Sequence, residues 1–171
     1  EVQAEVAVDN TFLSPAIQQP LALGADYVIH STTKYLNGHS DVISGAVVAA
    51  DAVQVEALRH WANVVGSTGA PFDAWLTLRG LSTLFPRMEW QQANAMAVAH
   101  YLESYATVAK VHYPGLPSHA GHAVASRQQR GFGAMLSFEL VGGIEAVKRF
   151  IAAVGCFTLA ESLGGVESLV A

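Results

Sequence analysis

The most constraining feature of the sequence is a pair of short apolar segments separated by a helical stretch, all within the first 30 residues. Residues 6–8 and 27–30 are brief and apolar, which is typical of buried strands. Between them, residues 15–23 favour a helix, and Gly24 suits the left-handed position that commonly follows one. Residues 43–50 favour a third strand. This order predicts an α/β fold with a sheet covered on both faces.

The rest of the chain continues the mixture of helices and strands. Asp51 is a good N-cap for a helix, and a long helix without glycine begins near Pro86. The predicted helices are residues 51–62, a short stretch ending at Arg79–Gly80, 86–105 and 144–154, and the predicted strands are residues 108–113, 134–140 and 157–160. Residues 114–129 are predicted to be a polar turn and loop.

Composition excludes several classes of protein. Only 13% of the residues are charged and 51% are hydrophobic, whereas about 25% charge is usual in soluble domains. The apolar segments are nevertheless far shorter than the roughly 20 residues that cross a bilayer, so we expect no membrane span. We expect instead an internal fragment of a larger, oligomeric chain. The net charge of −5 argues against a nucleic-acid partner, and the single cysteine is compatible with a cytoplasmic protein.

The densest polar cluster, residues 31–41, directly follows the second predicted strand. Functional loops of open α/β sheets lie beyond the carboxyl ends of strands, and Lys34 stands there. Lysine forms a Schiff base with an aldehyde cofactor, and the hydroxyl groups of Ser31 and Thr33 are suited to bind a phosphate. The alternative is a solvated loop lysine, which is the commoner environment for this residue type.

Asp9 ends the neighbouring strand in a comparable place. A carboxylate against the ring nitrogen of pyridoxal phosphate keeps that nitrogen protonated and makes the ring an electron sink. Aspartate is also common in turns at strand ends, so Asp9 alone does not decide between these roles. Its pairing with Lys34 favours the cofactor site, because two strands joined by one crossover helix lie side by side in a parallel sheet.

Two runs carry a resemblance to a known family: Val-Asp-Asn-Thr-Phe at residues 8–12 and His-Ser-Thr-Thr-Lys-Tyr-Leu-Asn-Gly-His-Ser-Asp at residues 30–41. The chain resembles the Cys/Met-metabolism family of pyridoxal-phosphate enzymes, of fold type I. The resemblance continues in order through residues 78–81, 86–89, 131–138 and 161–168. It implies that residues 1–90 are part of the large, mainly parallel-sheet domain that binds the cofactor. Residues 91–171 would then be a connecting helix and part of the smaller C-terminal α/β domain.

The resemblance also implies roles for individual residues. Lys34 would hold the cofactor covalently and then carry protons, Asp9 would pair with the ring nitrogen, and Ser31 and Thr33 would bind the phosphate. Ser162 would lie at the α-carboxylate of the substrate. Glu161 would face the γ-carbon, where the related β-lyases tend to carry a different residue, and it therefore favours γ-chemistry. The alternative for Glu161 is an exposed residue near a helix start.

The activity implied is a γ-replacement that joins O-succinylhomoserine to cysteine and gives cystathionine and succinate. A γ-lyase acting on cystathionine or methionine, a sulfhydrylase using the same ester, or an inactive truncated module remain alternatives. The resemblance implies a homotetramer with active sites shared between subunits. It also places other family features outside these residues, so the fragment alone should be inactive. His30, His39 and Asp41 belong to the run around Lys34, residues 30–41, here called the lysine loop. We expect no metal site there.

Overall fold

The first sheet places the ends of two strands at one edge. The computed structural model describes residues 4–171, so residues 1–3, the start of the expected internal fragment, lie outside the described part. Strand β1 (Ala7–Asp9) runs parallel to β2 (Tyr27–Ser31), with Asp9 opposite Ile29. The prediction of two adjacent parallel strands is therefore confirmed. Strand β3 (Gly45–Ala49) lies on the other side of β2 and is antiparallel to it.

The single helix predicted for residues 15–23 is wrong. The chain forms a short helix α1 (Ser14–Ile17) and a separate helical turn at Pro20–Leu23. Pro20 causes the break, because it has no N–H to donate and it pushes the residue before it out of helical geometry. That residue, Gln19, has φ −123° and ψ 81°. Gly24 adopts the left-handed conformation that was expected of it, with φ 97°.

Three helices follow the first sheet and agree with the predicted positions to within a few residues. They are α2 (Ala52–Val65), α3 (Pro71–Leu81) and α4 (Leu84–Glu103). The N-cap prediction for Asp51 is confirmed, since its carboxylate accepts from Gln54 N at 2.9 Å and Gln54 Oε1 accepts from Asp51 N at 3.3 Å. No helix among the described residues is long and apolar enough to cross a membrane.

The second half of the described chain contains two small sheets. Strand β4 (Val108–His112) is antiparallel to β5 (Ser137–Leu140), and two-residue strands β6 (Thr158–Leu159) and β7 (Leu169–Val170) pair in parallel. Helix α6 (Gly143–Ala153) lies between β5 and β6. Helix α5 (His122–Gln128) falls in the stretch predicted as loop. Only Ala125 of this short helix is buried, so it has almost no apolar periodicity from which to predict it.

Helix α4 contributes to both hydrophobic clusters. The first cluster consists of Ile17, Tyr35, Leu36, Leu84 and Met88. The second consists of Ala95, Ala99, Val111, Tyr113 and Leu116. The proposed division at residue 90 lies within α4, between these clusters, and stays a prediction.

The expectation of a sheet covered on both faces is wrong for the described residues. Val47 and Val48 are adjacent on β3, so their side chains point to opposite faces of the sheet. They are 49% and 47% exposed, so neither face is fully covered. Within residues 4–171 the sheet has three strands. Its main neighbours are short helical segments and α2, which is too little chain to cover both faces. Trp61, Trp75 and Trp90 are all exposed as well.

Gly80 allows the end of α3 to lie against the lysine loop, and its replacement tests that contact. A Cβ at this buried glycine would stand 2.8 Å from the backbone C and Cα of Asn37 and closer still to its oxygen. We expect Gly80→Ala to destabilise the complete protein by about 1–3 kcal/mol, as overpacking does. Glycine to alanine within a helix otherwise stabilises it by roughly 0.5–1 kcal/mol. Denaturant unfolding measures the sign, and Gly155→Ala, where a Cβ meets open space, is the control.

Candidate active site

Lys34 lies in a wide helical turn, Thr32–Leu36, that directly follows β2. The backbone of Lys34 departs from helical geometry, with φ −89° and ψ −131°, and its carbonyl accepts from Gly38 N at 2.8 Å. Its Nζ donates a hydrogen bond to Ser162 Oγ at 2.8 Å. The structure therefore brings together two predicted site residues that are 128 positions apart in the sequence.

The loop that carries Ser162 packs directly on the backbone of the lysine turn. A Cβ at Gly164, which has φ +81°, would stand 2.5 Å from Tyr35 N and 2.8 Å from the carbonyl carbon of Lys34. Further along, Ser40 Oγ donates to Glu167 Oε2 at 3.1 Å. Only a glycine fits at position 164, because both the positive φ and the close backbone approach exclude a side chain.

The Asp9 carboxylate stands at the end of β1 and is held by Thr11. Its Oδ1 accepts from Thr11 N at 2.9 Å. Hydrogen bonds from the hydroxyl and the backbone of Thr11 lower the pKa of Asp9 below its usual value, so the group is ionised at neutral pH. The Thr11 hydroxyl oxygen also accepts from Ser31 N at 2.8 Å. Thr11 thus ties the carboxylate to the start of the lysine loop.

His30 belongs to β2, directly before Ser31, and is 5% exposed. Burial lowers the pKa of His30, and the negative charge of Asp9 opposes that shift only in part. The ring is therefore neutral at pH 7 and leaves the Asp9 carboxylate without a cationic partner from this side.

The two predicted phosphate-binding hydroxyls differ in their availability. Thr33 Oγ1 donates to Ser44 O at 3.3 Å and accepts from Ser44 N at 3.0 Å. Its single proton is thus already directed to a backbone carbonyl, and it would have to leave that contact to reach a phosphate. The Ser31 hydroxyl makes no hydrogen bond to any of residues 4–171, so its proton is available to a ligand.

Glu161 precedes Ser162 and is exposed. Within the described part of the chain its side chain takes no hydrogen bond or ion pair. Its carboxylate is therefore close in sequence to the Lys34–Ser162 contact and open to solvent, and its predicted role toward the γ-carbon stays a prediction.

His39 and Asp41 serve to hold the lysine loop. His39 Nδ1 is 2.7 Å from Asn37 O, and Asp41 Oδ1 accepts from Asn37 Nδ2 at 2.7 Å. Asn37 itself is 1% exposed. Among the described residues, no three histidine, cysteine or acidic side chains form a group that could hold a metal ion.

Thr11 and Ser44 shape the site, although no role was predicted for either residue from the sequence. An aspartate that accepts from the amide two residues later is an Asx turn, so Asp9 and Thr11 carried a local signal that could have been used. Ser44 acts through its backbone, which no side-chain pattern reveals.

The sequence model described as "Cys/Met metabolism PLP-dependent enzyme" matches residues 1–171. The chain belongs to this family. It is 59% identical over 170 residues to cystathionine gamma-synthase of Escherichia coli (strain K12). The matched region is 99% of this chain and 44% of that protein. The chain is 52% identical over 163 residues to a cystathionine beta-lyase of Lactococcus lactis subsp. cremoris, covering 95% of this chain and 43% of that protein.

A solved structure supports the same family membership. Cystathionine gamma synthase from Xanthomonas oryzae pv. oryzae, in complex with aminoacrylate and cysteine, superposes with a TM-score of 0.96 and 62% identity over 98% of this chain and 43% of that one. The expected α/β fold of type I is thereby confirmed. The chain spans less than half the length of these relatives.

The donor set of this family member fits pyridoxal phosphate. The group presents an aldehyde, an aromatic ring nitrogen and a phosphate, and the edge of the sheet offers a primary amine, an ionised carboxylate and a free hydroxyl. Lys34, Asp9 and Ser31 would hold these three parts in that order. Thr33 fits less well, because its proton is engaged by Ser44.

Removing the hydroxyl of Thr11 should change stability in a pH-dependent way. We expect Thr11→Val to destabilise the complete protein by about 1–3 kcal/mol at neutral pH, because Ser31 N loses its acceptor. Since the folded pKa of Asp9 is lowered, its share of the stability is present above the usual carboxyl pKa and is lost as pH falls through the folded pKa. The difference between wild type and variant should therefore shrink at acidic pH.

Denaturant unfolding across the acidic range measures this difference, with Thr11→Ser as the matched variant that keeps a hydroxyl. A loss that is identical at every pH would show that Thr11 does not act on the Asp9 carboxylate.

Proposed function

We propose that the complete protein catalyses a pyridoxal-phosphate-dependent γ-replacement in which cysteine displaces succinate from O-succinylhomoserine to give cystathionine. The observation that carries the proposal is the 2.8 Å hydrogen bond from Lys34 Nζ to Ser162 Oγ, which joins the cofactor amine to the expected carboxylate-binding loop. Its support beyond the structure is the family membership and the identity to two cystathionine gamma-synthases.

When bound, pyridoxal phosphate supplies an aldehyde that links to amines and a ring that takes up negative charge from the α-carbon. Lys34 has the geometry to hold that aldehyde and, once displaced by the substrate amine, to carry protons at the substrate carbons. The Asp9 carboxylate, ionised because of Thr11, can keep a proton on the ring nitrogen. The Ser31 hydroxyl is available to a phosphate oxygen.

The proposal assigns the substrate end of the site to the loop after β6. Ser162 Oγ accepts from Lys34 and still carries its own proton, which it can donate to a substrate carboxylate. Glu161, adjacent and exposed, is proposed to face the γ-carbon from which succinate leaves. Because these two residues neighbour one another in sequence, both ends of the substrate would be read by a single loop.

Lyase activity is the second candidate, and a comparison favours considering it. The cystathionine beta-lyase of Lactococcus lactis is 52% identical to this chain, against 59% for the gamma-synthase of Escherichia coli. A cystathionine or methionine γ-lyase and a sulfhydrylase acting on the ester would use the same lysine loop. The choice of γ-replacement therefore depends on Glu161 and the loop that carries it.

Product analysis tests the function directly. We expect the complete protein, supplied with O-succinylhomoserine and cysteine, to release succinate and form cystathionine. With the ester and sulfide in place of cysteine it should form homocysteine more slowly, and with cystathionine alone it should release little pyruvate or 2-oxobutyrate. Rapid breakdown of cystathionine without net synthesis would contradict the proposal and support a lyase.

We propose a cytoplasmic homotetramer with active sites shared between subunits, in which residues 1–90 belong to the cofactor domain and residues 91–171 to the connecting helix and C-terminal domain. The rival from another class is a truncated, non-catalytic module. Such a module would stay colourless after incubation with pyridoxal phosphate.

A further inference from the structure

Two side chains of α4, one helical turn apart, reach the two loops that meet at the candidate site. Arg87 Nη1 donates to Tyr35 O at 3.0 Å, and Gln91 Nε2 donates to Gly165 O at 2.9 Å. Residues four apart lie on the same face of a helix, so both bonds leave α4 in a similar direction. Tyr35 directly follows Lys34, and Gly165 is three residues after Ser162.

Arg87 spans two carbonyls that belong to different elements. Besides Tyr35 O, its guanidinium donates through Nη2 to Gly80 O at 2.9 Å and through Nε to Thr83 Oγ1 at 3.0 Å. It also occupies the space into which a Cβ on Gly38 would project. A planar fork with several N–H groups can hold the two carbonyls at once, whereas the single ammonium of a lysine is a point donor.

Gln91 contributes a donor, and the orientation of its amide is fixed. Its Nε2 faces Gly165 O, while its Oε1 is buried without a hydrogen-bond partner among the described residues. Turning the amide over would place Gln91 Oε1 against the carbonyl oxygen of Gly165. Gly165 is tightly placed in its turn, because a Cβ there would lie 2.5 Å from Ser40 Oγ.

The same helix also supplies the apolar floor beneath both loops. Met88 and Leu84 pack with Tyr35 from the lysine turn, and Leu163, the residue after Ser162, packs against that cluster. Apolar packing is non-directional, so it holds the loops near α4 without fixing their positions. Hydrogen bonds from Arg87 and Gln91 supply the direction that the packing lacks.

We infer that Arg87 and Gln91 are positioning residues that set the Lys34–Ser162 contact, Arg87 by holding the lysine turn and Gln91 by holding the loop that carries Ser162. Neither side chain is assigned a contact with substrate or cofactor. The inference rests on the proposed function only for its catalytic consequence, since the loop contacts stand without it.

Hydrogen exchange in the complete, cofactor-free protein tests the loop contacts separately from activity. We expect Gln91→Met to speed amide exchange in residues 161–168 about tenfold, the effect of losing one typical hydrogen bond, and to leave residues 32–38 unchanged. Arg87→Lys should speed exchange in residues 32–38 and leave residues 161–168 unchanged. Arg87→Gln replaces the lysine variant if that variant does not fold.

Two exposed residues are matched controls for these variants. Arg59→Lys on α2, where the arginine side chain is 75% exposed, and Asn94→Met on the exposed surface of α4 should leave both segments unchanged. The inference would be overturned if each variant accelerated amide exchange in both segments, or if neither variant accelerated exchange more than the controls do.

Steady-state kinetics of the holoenzyme provides the second readout. Because Ser162 is proposed to bind the substrate carboxylate, Gln91→Met should raise KM for the homoserine ester about tenfold and change kcat less than about twofold. Arg87→Lys should lower kcat and shift the pH dependence of the visible cofactor band, since it displaces the turn of Lys34. The inference would be overturned if Gln91→Met mainly lowered kcat and Arg87→Lys mainly raised KM. If Lys34→Ala retains full activity, the proposed function fails, while the exchange pattern still decides the positioning.

Discussion

Lys34→Ala in the complete protein should abolish the visible absorption of the bound cofactor and lower turnover by about 10³-fold or more. The residue would lose both of its proposed roles, the covalent link to the aldehyde and the proton transfers. A positioned acid–base group alone contributes about 10²–10⁴-fold. The structure supports a large effect, because the amine already lies in a hydrogen bond with Ser162 across the site.

Absorption spectroscopy and a coupled assay for succinate release measure the two losses. The matched control is Lys148→Ala, which removes an exposed lysine of α6 whose one ion-pair partner among residues 4–171 is Glu145 on the same helix. Full turnover by Lys34→Ala, with an unchanged spectrum, would contradict the assignment.

Asp9→Asn should have the next largest effect, a loss of turnover of about 10- to 100-fold. Hydrogen bonds to charged groups contribute about 1.5–3 kcal/mol, and each 1.4 kcal/mol in the barrier is a factor of ten. The asparagine keeps the size of the side chain and can still accept from Thr11 N, so the turn at the end of β1 should persist. What is lost is the negative charge that would hold a proton on the ring nitrogen.

The measurement is kcat together with cofactor affinity, determined by titrating the cofactor-free protein with pyridoxal phosphate. Asp9→Glu keeps the charge but displaces it, and we expect it to recover part of the loss. Turnover of Asp9→Asn at the wild-type level would show that the carboxylate does not face the ring.

Local signals predicted the elements that carry the site. The strand before Lys34, the strand end at Asp9 and the capping of α2 by Asp51 all depend on residues close together in the sequence, and the structure has them where they were expected. The broken helix around Pro20 was also readable, because proline excludes helical geometry from its own predecessor.

Contacts between distant segments could not be derived in this way. The approach of Ser162 to Lys34 spans 128 residues, and nothing in the local pattern of either segment indicates the other. The resemblance to a family suggested that both residues serve one site, but not that they touch. The use of the Thr33 hydroxyl by Ser44 is similarly invisible in the sequence, because the partner is a backbone group brought near by the antiparallel β3.

The covalent link between cofactor and protein can be located directly. The complete protein, loaded with pyridoxal phosphate, is reduced with borohydride, digested and mapped by mass spectrometry. Residues 1–171 contain three lysines, Lys34, Lys110 and Lys148. We predict that the reduced cofactor is found on the peptide containing Lys34 and is absent from the peptides of the other two. Label on another lysine, or no label in a protein that turns over, would contradict the assignment of Lys34.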